Sequence, residues 1–408
     1  WETLGSWREL FLVFLLITIS GNPAFCNNDV SRIGYPLLLP VIFYLLRGRI
    51  NYWFLKRYLV IFTVFAGIFA AHQVYLGYLS YQGAAGFLLK VFLGGVIISS
   101  LKDRFSPVFY RVVYYLCLFS LLMYGIQQLI PPQSYPDLVS LYANREGLER
   151  FKSAIIHTAI ADHWYRNAGM MWEPGAFQGL INLAILITPL HKLIGNAERK
   201  RRFAVLIVTL ITTFSTTGYL IFFVVMVVKA LESRISVALK IIMVSAILAV
   251  GSSAYFNLEF LGEKISAQYQ EAMESERFRP DRIGALVFDL YYIQKNPVFD
   301  NGMVESTRYA DNPELIGTRL GHGNGFSNFT ATMGVAGIAA YLLALLFSRL
   351  SPGFASRFYF MLVIVLLLQG EQFLNYPLFL GLPFLYMNRS GAGKYGDDMF
   401  LKKMVGNE

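Results

Sequence analysis

Long runs of apolar residues, each bounded by a short polar or charged stretch, set the rhythm of this chain. A helix needs about 20 largely apolar residues to cross a hydrocarbon layer roughly 30 Å thick. Eight runs approach that length or exceed it, at 9–26, 34–47, 58–79, 84–100, 106–130, 175–194, 236–254 and 325–348. Two further runs are too long and too interrupted for one helix each. Between Phe203 and Lys229 the pattern breaks at Thr212-Thr213-Phe214-Ser215-Thr216-Thr217-Gly218, which predicts two short spans joined by a polar hairpin. Such backbone is tolerated at membrane depth only where it lines a protein cavity. From Phe358 to Met387 the run is broken by Gln369-Gly370-Glu371-Gln372 and by Asn375-Tyr376-Pro377, again predicting two spans. Leu10 to Ser20 has the length of a signal-peptide core, but no small-x-small cleavage pattern follows near Asn22-Pro23-Ala24-Phe25, so it reads as the first span. The pattern predicts an all-α polytopic membrane protein of about twelve transmembrane helices, one integral membrane domain over residues 1–408.

Composition agrees. Hydrophobic residues fill 55% of 408 positions and charged residues only 15%, against about 25% charged in a typical soluble protein. The net charge of +9 does not indicate nucleic acid, because the cations sit in short loops rather than on one soluble face. Arg47, Arg49, Lys56 and Arg57, then Lys102 and Arg104, then Lys192, Arg199, Lys200, Arg201 and Arg202 fall on one side. Arg349, Arg357, Lys402 and Lys403 join them, so this side is cytoplasmic and holds both termini. Two cysteines, Cys26 and Cys117, lie in or beside different apolar runs and make no disulfide framework.

Two long loops, 131–174 and 255–324, fall on the opposite side, and loops of that size are usually functional. In the second, Leu258, Leu261, Ile265 and Ala272 recur at helical spacing, as in an amphipathic helix lying on a membrane surface. Another helix should open at Arg279-Pro280-Asp281-Arg282, bury Ile283, Leu286, Val287, Leu290 and Ile293, and stop at Asn296-Pro297.

Three places carry candidate chemistry. Arg166 and Glu173 stand seven residues apart where the apolar run from Gly175 begins. Charge at a bilayer boundary is costly, so such a pair serves either a substrate or its own partner. Arg282, with Arg279 nearby, sits at a helix N-terminus, a setting suited to a phosphate or pyrophosphate; pairing of Arg277, Arg279 and Arg282 with Glu274, Glu276 and Asp281 is the plainer alternative. Gly321-His322-Gly323-Asn324-Gly325 places an imidazole in a glycine-rich turn leading straight into a span, where it can take a proton from a hydroxyl. His72 and His191 read as packing or interfacial residues, and His157 and His163 as weaker candidates. Trp172, with Tyr135, Tyr142 and Trp164, offers rings for stacking on sugars, or belongs to an interfacial belt. No metal-binding pattern stands out in the external loops, and no cofactor is expected.

Three blocks together resemble the O-antigen polymerase and O-antigen ligase superfamily of membrane glycosyltransferases. They are Arg166 to Gln178, with its Arg-x-x-Gly-x-x-Trp-Glu-Pro-Gly; Arg282 to Gly302; and His322 to Gly337, with Gly334 and Gly337 in the following span. The hairpin at 215–218 also fits. The resemblance implies a GT-C-like fold in a bacterial inner membrane, with the active site facing the periplasm. It implies a donor glycan on undecaprenyl pyrophosphate, and inverting, metal-independent transfer. Arg282 and Arg166 would hold phosphate or sugar, with Arg279, Trp172 and Asn324 beside them. His322 would serve as base or orient the acceptor, and Glu173 would orient Arg166 or compete for the base role. Ligases often carry an arginine where this chain has Ser215-Thr216-Thr217, which favours a polymerase. The resemblance further implies work alongside a chain-length regulator and a flippase. A ligase acting on lipid A core is the nearest rival. A lipid-linked oligosaccharide transporter is another, though no internal repeat supports it.

Overall fold

The computed structural model describes residues 6–26, 28–46, 50–131, 151–194, 196–245, 282–309, 323–348 and 353–385, apart from positions 155, 161, 162, 234, 235, 239 and 243. These residues are overwhelmingly helical. The long helices are α1 (Trp7–Thr18), α2 (Asn28–Leu46), α3 (Tyr52–Leu76), α4 (Tyr81–Leu101), α5 (Phe105–Leu129), α6 (Pro174–Ile187), α7 (Ala197–Thr212), α8 (Thr216–Glu232), α9 (Arg282–Lys295), α10 (Gly325–Leu346) and α11 (Phe354–Gly370). Three stretches are long and apolar enough to cross a membrane: Tyr52–Leu76, Tyr81–Leu129 and Gly325–Leu346. The second is α4 and α5 joined through the tight turn Lys102–Arg104. In α3 only 22% of the most apolar window is buried inside the protein, a surface that lipid would cover and water would not. These features are those of an all-α membrane protein.

Local sequence explains where the helices begin. Asn51, Ser80, Asn196, Ser215 and Asn324 each accept a hydrogen bond from a backbone N–H in the first turn of the helix that follows. Pro174 occupies the first turn of α6, where its missing N–H costs nothing.

Side-chain contacts sort the helix ends into two layers. At one end Arg104 meets Glu9 at 2.8 Å, Ser106 donates to the Ile187 carbonyl at 2.8 Å, and Arg57 and Arg357 donate to carbonyls at the end of α10. At the other end lie the 157–173 segment, the 212–216 turn, the start of α10 and the end of α11. Both described parts of the long loops therefore sit at the same end. The break within 203–229 falls at Thr213–Ser215, between two separate helices, as the sequence predicts.

Elsewhere the structure departs from the hydropathy pattern. The first run is not one helix over 9–26. It stops at Thr18 because Asn22 turns the chain, donating to the Met170 carbonyl and accepting from the Ala24 N–H. The second half of the final run is no span either. Residues 373–384 form three short helical turns, since Pro377, Gly381 and Pro383 interrupt a continuous helix. This segment is buried against α4 at Gly94, where a Cβ would lie 1.9 Å from the Pro377 carbonyl oxygen. Gly94→Val should therefore cost roughly 1–3 kcal/mol or more through overpacking. Thermal unfolding in detergent will show a lowered midpoint, whereas Gly86→Val, with open space at its Cβ, leaves it unchanged. A short antiparallel hairpin, β1 (Phe151–Ala154) with β2 (His157–Ile160), also stands where no strand was expected. The span expected at 236–254 and the surface helix at 258–272 lie largely or wholly outside the described residues.

Candidate functional site

At the end of the bundle that holds the Arg166 block, Gly169 packs on the start of α6, where a Cβ would lie 2.6 Å from the Phe177 ring. Ser106 and Ile187 fix α5 and α6 to a common base. From there α5 rises 25 residues and α6 only 14. At 1.5 Å per residue, the α6 N-terminus lies roughly 15 Å below the top of α5. Asn22, just past the end of α1, meets Met170 of the same covering segment.

Around it the chain closes a ring of contacts. Arg166 Nε donates to the Thr213 carbonyl at 3.0 Å, and Asn167 donates twice to Thr212. Asn182 donates to Gln178 at 2.8 Å and to the Gly218 carbonyl at 3.1 Å, tying α6 to the first turn of α8. Gly370, ending α11, faces Thr217. Asn324 donates to Gln369 at 2.6 Å, and Gly325 lies so close to the Glu371 carbonyl that a Cβ would fall 2.0 Å from it. Trp172 closes the ring, tilted against Tyr376 with ring centroids 4.7 Å apart.

Three helices, α6, α8 and α10, thus begin at this end of the bundle. Each N-terminus carries about half a positive charge and unpaired N–H groups, so together they favour an anion. Just inside, Gln178 and Asn182 are fully buried and Thr216 is 6% exposed. Gln178 Nε2, Asn182 Oδ1 and Thr216 Oγ1 have no hydrogen-bond partner within the structure. Buried polar atoms left in that state usually answer to a ligand or to solvent. Glu173, the residue before α6, is exposed, its own carbonyl accepting the first helical N–H groups. It forms no ion pair with Arg166; the Thr213 carbonyl orients that guanidinium instead.

The 282–302 and 322–337 blocks also meet. Asp289 of α9 is fully buried and takes hydrogen bonds from Ser327 Oγ and Arg308 Nη2, each at 2.6 Å. Arg308 reaches on to Asn328 at 2.6 Å. Farther along α10, Gly334 adopts φ +72 and breaks the helix. The freed N–H groups of Val335 and Ala336 donate to the carbonyls of Pro297 and Val298 at 2.9 and 3.1 Å. Only glycine fits here, since a Cβ would lie 2.0 Å from the Val298 oxygen.

The buried face of α9 differs from the expected stripe. Ala285, Asp289 and Tyr292 turn inward, while Val287 and Leu290 are exposed. The ion pair with Arg308 rotates the helix so that the carboxylate is covered. Neither Asp289 nor Arg308 stood out in the sequence, although a carboxylate flanked by Phe288 and Leu290 was a signal. Gln178 and Asn182, four apart in an otherwise apolar helix, were another.

Of the residues singled out by sequence, Arg166, Trp172, Glu173 and Asn324 lie at this end of the bundle. Arg282 opens α9 at the same end, its side chain outside the described residues, as are Arg279 and His322. His72 is a packing residue, buried, with Nε2 2.6 Å from the Phe299 carbonyl. His157 is also packed away. Its Nε2 lies 2.8 Å from Gln127 Oε1, and burial pushes the imidazole down to about 4, so it is neutral at physiological pH. Trp164 is anchored rather than presented, its Nε1 donating to the Gln127 carbonyl at 2.7 Å.

Asp300, beside this network, sits at φ +54 with one carboxylate oxygen taken by Asn301. Burial pushes its carboxyl up to about 7, against the opposing pull of Asn301 and Arg308. An acid raised above its unfolded value of about 3.9 holds a proton that the unfolded chain has lost, so folding stability falls as pH rises through this window. Asp300→Asn, which tolerates positive φ, should flatten that dependence in thermal melts between about pH 5 and about pH 8.

No known protein-family model matches the chain, and no curated protein matches it.

Proposed function

We propose that this chain is an inner-membrane glycosyltransferase that polymerises lipid-linked repeat units into O-antigen or a related surface polysaccharide. The observation that carries the reading is the presence of three helix N-termini and Arg166 at one end of the bundle, where Trp172 packs on Tyr376. That arrangement suits an anionic leaving group below a sugar. Arg57, Lys102, Arg104 and Arg357 lie at the opposite end, so on the positive-inside rule we place the Arg166 end toward the periplasm and both termini in the cytoplasm.

In the proposed reaction a hydroxyl of one undecaprenyl-pyrophosphate-linked repeat attacks the anomeric carbon of the growing chain on a second carrier. The bond from that carbon to the diphosphate oxygen breaks with inversion. The hydroxyl proton passes to His322 or Glu173, and the lipid diphosphate leaves with its added charge. Arg166 and Arg282, with Arg279 near, stabilise that charge; bidentate guanidinium groups suit it well. Asn324 and Trp172 position the sugars. No resident metal is invoked. A chain-length regulator and a flippase are the expected protein partners.

Purified protein in lipid nanodiscs, given a matched lipid-linked repeat and no ion gradient, should yield a ladder of longer chains. Single-repeat material alone, across several matched donors, would count against the enzyme and leave transport standing. In cells, loss of the protein should leave core capped by one repeat; naked core would instead identify a ligase. The two base candidates separate by substitution. Whichever of His322→Ala and Glu173→Gln removes the base should lower turnover about 100- to 10,000-fold while donor binding persists.

A further inference from the structure

We infer that the protein binds one anionic phospholipid in a groove between α3 and α10, at the end opposite Arg166. The groove has a cavity volume of about 650 Å³, within the range of about 300–1,000 Å³ usual for small-molecule sites. One wall is Val60, Ile61 and Val64; the other is Ala336, Ala340 and Ala344, whose short side chains leave the space open. From Arg57 to Phe65 the wall runs eight residues, roughly 12 Å of helix, room for a length of acyl chain.

The occupant follows from position and charge. Both helices are candidate membrane spans, and α3 leaves most of its apolar surface uncovered, so the groove opens sideways into lipid. Among the described residues no acidic side chain lines it, while Lys56, Arg57 and Trp53 stand at its end. Lys56 is exposed there. Arg57 donates to the carbonyls of Phe347, at 3.0 Å, and Ala344, which caps the negative end of α10. A headgroup at this rim therefore meets cations and not bare carbonyls. Trp53, with Arg57 5.5 Å from its ring centroid, marks the interfacial depth. The site needs only that α3 and α10 lie in a bilayer, and it is independent of the transferase reading.

Native mass spectrometry of the full chain, titrated with phosphatidylglycerol or phosphatidylcholine of equal chain length, tests this. One phosphatidylglycerol should be retained at least about fivefold more tightly, the contribution of one basic residue near the headgroups. Lys56→Gln, at an exposed site that cannot disturb packing, should bring the two lipids to near parity. Ala339→Phe should fill the groove and weaken both, with an unchanged thermal midpoint showing that the fold is intact. Equal retention of the two lipids overturns the proposal. So does a preference that survives Lys56→Gln, or a groove occupied by a second copy, seen as a dimer that Ala339→Phe dissolves while lipid binding stays the same.

Discussion

Arg166→Ala is expected to abolish long-chain polymer, lowering turnover by about 100- to 1,000-fold, the usual loss when one preorganised donor to a developing charge is removed. The expectation rests on where the guanidinium is held. Its Nε is fixed by the Thr213 carbonyl, so the group is aimed before substrate arrives and pays little reorganisation on reaction. Because the same hydrogen bond joins two chain segments, a purely structural role must be separated. Protein abundance and thermal midpoint should hold, while single-turnover rates with lipid-linked donor collapse. Arg166→Lys should recover little, since an ammonium keeps the charge but loses the fork. Normal chain length in Arg166→Ala would remove this residue from the site.

Arg308→Met should be the most destabilising substitution. It removes the Arg308 guanidinium from the Asp289 carboxylate, which is fully buried and also accepts from Ser327 Oγ. Breaking a buried pair from one side costs about 3–5 kcal/mol. Adding Asp289→Leu should restore most of the loss, because two apolar residues of similar size satisfy the same space. Thermal midpoints of the single and double variants measure this. If the single change is neutral, the α9–α10 junction does not depend on the pair. The junction matters beyond stability, since it holds α9, with Arg282 at its start, against the helix that Asn324 begins.

How much of this was readable beforehand differs from residue to residue. The 212–218 break was legible because a cluster of Ser, Thr and Gly within an apolar run has a strong local cause. The Arg166 block was legible for the same reason: charge beside a span is rare enough to stand out. Other features depend on partners far along the chain. Thr213, forty-seven residues from Arg166, supplies an oxygen to the guanidinium, one of the two roles the sequence left open for Glu173. Asp289 turns α9 toward Arg308 and so exposes Val287 and Leu290, which periodicity alone assigns to the core. Gly334 was noted only as part of a motif. Its reason, the approach of the Val298 carbonyl, is invisible without coordinates. Apolar content likewise made 373–384 resemble a membrane span, although its prolines and Gly381 argued for turns.

The central claim is that Arg166 and the first turns of α6 and α8 receive a diphosphate. A cryo-electron microscopy structure of the full chain with undecaprenyl pyrophosphate in nanodiscs tests it most directly. The account predicts phosphate density within hydrogen-bonding distance of the Arg166 guanidinium, above the first turns of α6 and α8, with Arg282 on the same anion. Phosphate bound elsewhere, with Arg166 still turned to Thr213 and touching no ligand, would contradict it.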